Sequence, residues 1–159
     1  MHVTAEDITM EIRQILAPTD FSESSKQAVA YAYEWAQTFG AKLLLLHVVE
    51  LLVYPVEIFL VSEEGTTLLD DLERQARLDL AELVPKSLDG TVEVLCQTVV
   101  GTPYLRIVEV AAAEKVDLIV MSTHGRTGLS HLVMGSVAER VVRMAPCPVL
   151  TIRPTAAAA

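Results

Sequence analysis

The residues best suited to chemistry lie between Ser122 and Ser136. The chain there reads Met121-Ser122-Thr123-His124-Gly125, continues for nine residues, and then runs Gly135-Ser136-Val137-Ala138-Glu139-Arg140. Ser122, Gly125 and Gly128 are small enough to let backbone approach a bulky anion. Gly135 directly precedes a predicted helix, whose first amides have no partner inside the helix. Those amides, the Ser136 hydroxyl and the positive end of the helix dipole suit phosphoryl oxygens. The same residues also suit a capping box between Ser136 and Glu139. Both readings hold together, since a cap uses some amides and leaves others.

The nearest cations are Arg126, which can close over phosphates or stay solvated, and Arg140 on the helix. Two common nucleotide signatures are missing. No glycine is followed after four residues by Gly-Lys-Ser/Thr, and no Gly-x-Gly-x-x-Gly follows the first strand. Asp20, at the end of that strand, can accept hydrogen bonds from a ribose or adenine, or can help cap the next helix. Pro18 shapes the turn and offers apolar contact to a base. Val48 offers main-chain groups to a base edge, or simply packs in the core.

His47 and His124 end two strands and raise the question of a metal or an acid–base pair. No third ligand follows at a useful spacing, and no serine–histidine–acid set is present. Neither a metal site nor a catalytic residue is assigned. His131 reads as a loop or partner contact. Asp70 and Asp71 are adjacent on a helix, cannot face one site together, and read as solvated. Cys96, in the apolar run VEVLCQTVV, reads as core packing. Cys147 sits between Pro146 and Pro148 with no catalytic companion.

The elements that must position these residues alternate. Ile12 to Ala17 is a strand, ended by Pro18-Thr19-Asp20. Ser22 caps a helix whose buried face is Val29, Ala32, Ala36 and Phe39, and Gly40 ends it. Lys42 to Val48 is a buried strand. From Thr66 to Val84 a helix carries the stripe Leu69, Leu72, Ala76, Leu80 and Leu83. Pro85 stops it, and Asp89-Gly90 turns into a strand from Thr91 to Val99. Thr102 caps the next helix, with Pro103 at its first position. Val116 to Met121 is a strand, Ser136 to Met144 a helix, and Val149 to Ile152 the last strand. The irregular, apolar stretch from Val49 to Gly65 folds over the domain or a partner. Such alternation implies right-handed crossovers and a parallel sheet covered on both faces. Ligands then collect at the carboxyl ends of the strands.

The 159 residues suit one domain, with 1–10 and 154–159 peripheral. Hydrophobic residues make up 52% and aromatics 5%, so the core is aliphatic. A formal charge of −9 disfavours general nucleic-acid binding, which needs a concentrated positive surface. The start MHVTAEDITMEI lacks the basic and hydrophobic regions of a signal peptide. No apolar run is long enough to cross a bilayer. The expectation is a cytoplasmic protein.

From IRQILAPTDFS to PVLTIRP the chain resembles the universal stress protein family. The family hallmark, Gly-x-x-Gly, nine residues, then Gly-Ser/Thr, corresponds to Ser122, Gly125, Gly135 and Ser136. The resemblance implies a three-layer α/β/α sandwich with a five-stranded parallel sheet, order 3-2-1-4-5, and a homodimer paired through 149–152. For the ATP-binding branch it implies that Pro18 and Asp20 meet adenine and ribose and that Val48 offers backbone to the base. Met121, Ser122, Gly125 and Arg126 would form the near wall. Gly135, Ser136 and Val137 would hold the phosphates, with Mg²⁺ or Mn²⁺ bridging them. The chain departs from the hallmark at Ser122, where the first glycine belongs. If that position needs positive φ, serine costs ~1–2 kcal/mol.

Three functions follow as expectations. The first is an ATP-binding stress-response protein that signals through occupancy and an unidentified protein partner. The second is a nucleotide-free dimeric interaction module, and the third a slow ATP hydrolase. Fast phosphoryl transfer needs a positioned base and strong charge stabilisation, which no residue set here supplies.

Overall fold

The computed structural model describes residues 11–50, 67–84, 91–125 and 134–153. Among them, strands β1 (Gln14–Pro18), β2 (Lys42–Val49), β3 (Val94–Val100), β4 (Leu118–Ser122) and β5 (Val149–Ile152) alternate with helices. The helices are α1 (Glu23–Phe39), α2 (Leu68–Leu83), α3 (Pro103–Ala113) and α4 (Ser136–Met144). Every strand pair is parallel, and the order is β3-β2-β1-β4-β5. This is the sandwich and strand order that the family resemblance implied.

The continuously apolar strands make sense because each side chain enters one of two cores. Ile15 and Ala17 of β1, Leu43 and Leu45 of β2, and Leu118 and Val120 of β4 face α1 and α2. Their neighbours Leu16, Leu44, Leu46, Ile119 and Met121 face α3 and α4. Ala28, Ala32 and Ala36 of α1 are fully buried and small, so that helix lies close on the sheet. A cavity of about 110 Å³ between α1, α2 and β2 is lined mainly by Val29, Tyr33, Leu43, Leu45, Leu83 and Val94. It lies on the α1–α2 face, away from the cleft at the strand ends.

Helix ends follow local chemistry. Ser22 caps α1 by accepting from the Ser25 amide, and Gly40 closes it at φ 65°, a conformation glycine adopts without strain. Thr67 and Asp70 form a reciprocal capping box on α2. The Thr67 hydroxyl and amide hold the Asp70 carboxyl below its ordinary pKa. A depressed carboxyl stabilises above the unfolded Asp value, ~3.9, and that contribution is lost as pH falls through the folded value. Thr67→Ala should therefore lower stability near neutral pH, measured by urea unfolding, and lower it less in strong acid.

Several expectations are corrected. Phe39 is not on the buried face of α1; it is exposed and packs edge-on against Trp35, with centroids 5.6 Å apart. Phe39 is the helix's last residue, beyond the sheet that covers Val29 and Ala32. Asp70 and Asp71 are exposed, as expected, although Asp70 also joins the Thr67 cap and Asp71 pairs with Arg74. Thr102 occupies the N-cap position of α3, yet its side chain caps nothing. Cys96 is exposed, because β3 is an edge strand. β3 begins at Val94, later than expected, while β1 and β4 each reach one residue further, to Pro18 and Ser122. Gly128, His131, Pro85, Asp89-Gly90 and residues 51–65 lie outside the described residues. No helix among the described residues is long and apolar enough to cross a membrane.

Candidate functional site

The crevice opens where strand order reverses. β1 pairs with β4 only at Ile15–Leu118 and Leu16–Ile119, while β4 runs on to Ser122. The β1–β4 ladder ends there, and the helices that follow the two strands cover opposite faces of the sheet. Parallel α/β sheets bind ligands at this kind of switch point.

From β1, Pro18 is buried as the last ladder residue, paired with Leu46, and the Thr19 amide donates to Leu46 O at 2.9 Å. Asp20 Oδ1 accepts from the Ser22 amide at 3.1 Å and the Ser22 hydroxyl at 2.5 Å. Asp20 thus fixes the residue that caps α1. Between them, Phe21 sits at φ 65°, in the left-handed region, which costs a bulky residue ~1–2 kcal/mol. The Phe21 amide is held by Thr19 Oγ1, and its ring stacks on His47 with centroids 4.3 Å apart. His47 Nδ1 must carry a proton, since it donates to Thr19 O at 2.8 Å. Sequence reasoning missed Phe21, because nothing in PTDFS marks a left-handed phenylalanine.

From β2, Val48 is buried and offers main chain rather than side chain. The Gly101 amide bonds Val49 O on the β3 side, and the Thr19 amide bonds Leu46 O on the β1 side. Main-chain groups alternate sides along a strand, so those of Val48 point past the end of β1 into the crevice.

From β4, Met121 and Ser122 are both buried. Ser122 ends the strand with ordinary negative φ, because the only described non-glycine residues at positive φ are Phe21 and Lys115. The hallmark position therefore imposes no strain on serine, and its hydroxyl accepts the His124 amide at 3.2 Å. A Cβ on Gly125 would lie 2.7 Å from Asp20 Oδ2, so glycine is what lets the two loops meet. Ser24 Oγ donates to His124 O at 3.1 Å and ties the start of α1 to the same loop.

The start of α4 completes the site. The Gly135 amide is committed to Thr123 O at 2.7 Å, and Thr123 in turn donates its own amide to Ile152 O at 3.0 Å. Gly135 is the N-cap and Ser136 the first helical residue, with no side-chain cap. The expected Ser136–Glu139 capping box does not form: Glu139 pairs with Arg143 instead. Being one position inside the helix, Ser136 cannot fold back as a cap. The amides of Ser136 and Val137 are left at the crevice with the positive end of the helix dipole. Arg140 is spent elsewhere, its guanidinium lying 4.7 Å from the Tyr104 ring centroid. Arg126 lies outside the described residues. Among the described residues no three His, Cys, Asp or Glu side chains gather to hold a metal.

The universal stress protein family profile matches residues 11–153. The chain belongs to that family. The universal stress protein MJ0531 of Methanocaldococcus jannaschii is 34% identical over 142 residues, covering 89% of this chain and 82% of its own. A universal stress protein of Thermus aquaticus is 36% identical over 144 residues, covering 89% and 98%. The solved structure of MJ0577, also from M. jannaschii, superposes with a TM-score of 0.74 at 32% identity, covering 94% of this chain and all of that one. In this universal stress protein Pro18, Asp20, Val48, Met121, Ser122, Gly125, Gly135, Ser136 and Val137 lie at or just beyond the carboxyl ends of β1, β2 and β4 and at the start of α4.

Proposed function

We propose that this universal stress protein binds ATP in the crevice between β1 and β4, and that occupancy rather than turnover is its output. The observation that carries the reading is the start of α4, which has no side-chain cap and is held against Thr123, beside the close approach of Gly125 to Asp20. These groups suit phosphoryl oxygens without net positive charge, in a chain whose formal charge is −9. The Val48 main chain would meet the adenine edge, with Pro18 giving it apolar contact. Asp20, prevented from swinging by Ser22, would accept from the ribose hydroxyls. Mg²⁺ or Mn²⁺ would be held by the phosphates, since the described residues gather no ligand set of their own.

Amides that hold a triphosphate in place supply positioning but no base, which favours a binding signal over hydrolysis. Two copies would pair through β5, and a protein partner would read the occupied state. The free thiols Cys96 and Cys147 suit a reducing cytoplasm.

Calorimetric titration with Mg-ATP tests the reading. Wild-type protein should bind saturably. Gly125→Ala should weaken binding about 10-fold, because its methyl displaces the Asp20 carboxylate at a cost near 1.4 kcal/mol. Absence of heat or competition up to millimolar ATP would defeat it.

A further inference from the structure

We infer that an aromatic stripe on α1, Tyr31, Trp35 and Phe39, forms part of the surface on which a second copy of this chain docks. The inference rests on the proposed pairing through β5 and extends it to a helix. The three side chains recur every fourth residue on one flank and remain 43%, 36% and 47% exposed. So much exposed aromatic area is unusual in a chain with only 5% aromatics. Trp35 and Phe39 already hold each other edge-on.

Position decides the occupant. The flank of α1 carrying Lys26, Ala30 and Tyr33 faces α2 across the cavity. At 3.6 residues per turn, Tyr31 and Trp35 lie on the other flank, toward β4 and β5, on which α1 packs. Leu150 and Ile152 of β5 turn their half-buried side chains to that same face. Aromatic stripe and sheet edge therefore lie on the same face of the sheet.

That edge is self-complementary. Ile119 N donates to Pro148 O and Thr123 N to Ile152 O, so the even-numbered residues of β5 face β4. By alternation the main-chain groups of Val149 and Thr151 point outward, ready to pair with an antiparallel copy. Strands stand ~4.8 Å apart, and α1 sits over β1 and β4, about one strand behind the seam. Only long side chains would bridge that distance, and Tyr31 and Trp35 are long. Two four-residue edges supply little of the roughly 800 Å² per partner that a stable dimer needs. The exposed part of the stripe adds roughly 200–300 Å² per copy.

The chain's single tryptophan makes the test direct. Sedimentation equilibrium and Trp35 emission are followed across a nanomolar to high-micromolar dilution series. The wild type should be a dimer whose emission moves to longer wavelength, and whose iodide quenching rises, as it dissociates. Tyr31→Glu should weaken association at least about 30-fold, the scale of an interface hot spot. Thr151→Pro, which removes an outward amide and leaves the β4 ladder intact, should weaken it similarly. A dimer whose Trp35 signal ignores dissociation, and which Tyr31→Glu leaves unchanged, overturns the stripe while the β5 pairing stands. A monomer at every concentration overturns both.

Discussion

Gly135→Val is expected to weaken ATP binding at least about 100-fold, the largest effect of any single substitution at the site. A Cβ at Gly135 would lie 3.1 Å from Thr123 O and 3.8 Å from His124 Cα, and valine's methyl groups reach further. Thr123 has little freedom to withdraw. Its carbonyl accepts the Gly135 amide at 2.7 Å, and its own amide is bound to Ile152 O. The helix start must move instead, taking the Ser136 and Val137 amides with it. A hydrogen bond to a charged group contributes ~1.5–3 kcal/mol, so misplacing two loses about 3 kcal/mol, or 100-fold. Calorimetry on wild type, Gly135→Ala and Gly135→Val gives a graded series, with alanine intermediate. Circular dichroism must show both variants folded. A folded valine variant with wild-type affinity would contradict the role given to α4.

The second large effect concerns stability. Leu45→Ala should destabilise the protein by about 3–5 kcal/mol, the upper part of the range for such truncations. Leu45 is fully buried at the centre of β2 and already borders the 110 Å³ cavity. Truncation therefore enlarges an existing void rather than opening a new one that neighbours could fill. Against a total stability of ~5–15 kcal/mol the loss is severe. The melting temperature should fall by roughly 10 °C or more. The folded fraction should keep its nucleotide affinity, because Leu45 faces α1 and α2, away from the crevice. A small loss, under about 1 kcal/mol, would mean that the cavity closes by repacking.

The order of elements was readable because each strand is a short apolar run and each helix carries a stripe with a marked end. Ser22, Gly40 and Pro103 stand at their helix ends as their chemistry requires. Where reading failed, the missing information was tertiary. Cys96 looks buried in sequence because its neighbours are apolar, yet edge position exposes it. Phe39 has helical spacing with Val29 and Ala32, but the sheet stops short of it. Ser136 and Glu139 have capping-box spacing, and a one-residue difference in where the helix begins removes the box.

The site was legible in its glycines and less so in its frame. Gly125 is required by a carboxylate more than one hundred positions away in the chain, a contact no local pattern encodes. The departure from the family hallmark at Ser122 carries no backbone penalty, since β4 extends through it. Thr123, which joins Gly135 to Ile152 through its main chain, has no side-chain signal at all.

The amides themselves offer the most direct measurement. In a ¹⁵N-labelled sample titrated with Mg-ATP, the resonances of Gly125, Ser136 and Val137 should shift saturably, while those of Leu80 and Leu83 on α2 stay in place. If the three remain unmoved at millimolar nucleotide, or if only residues remote from the crevice respond, the start of α4 is not a phosphate site.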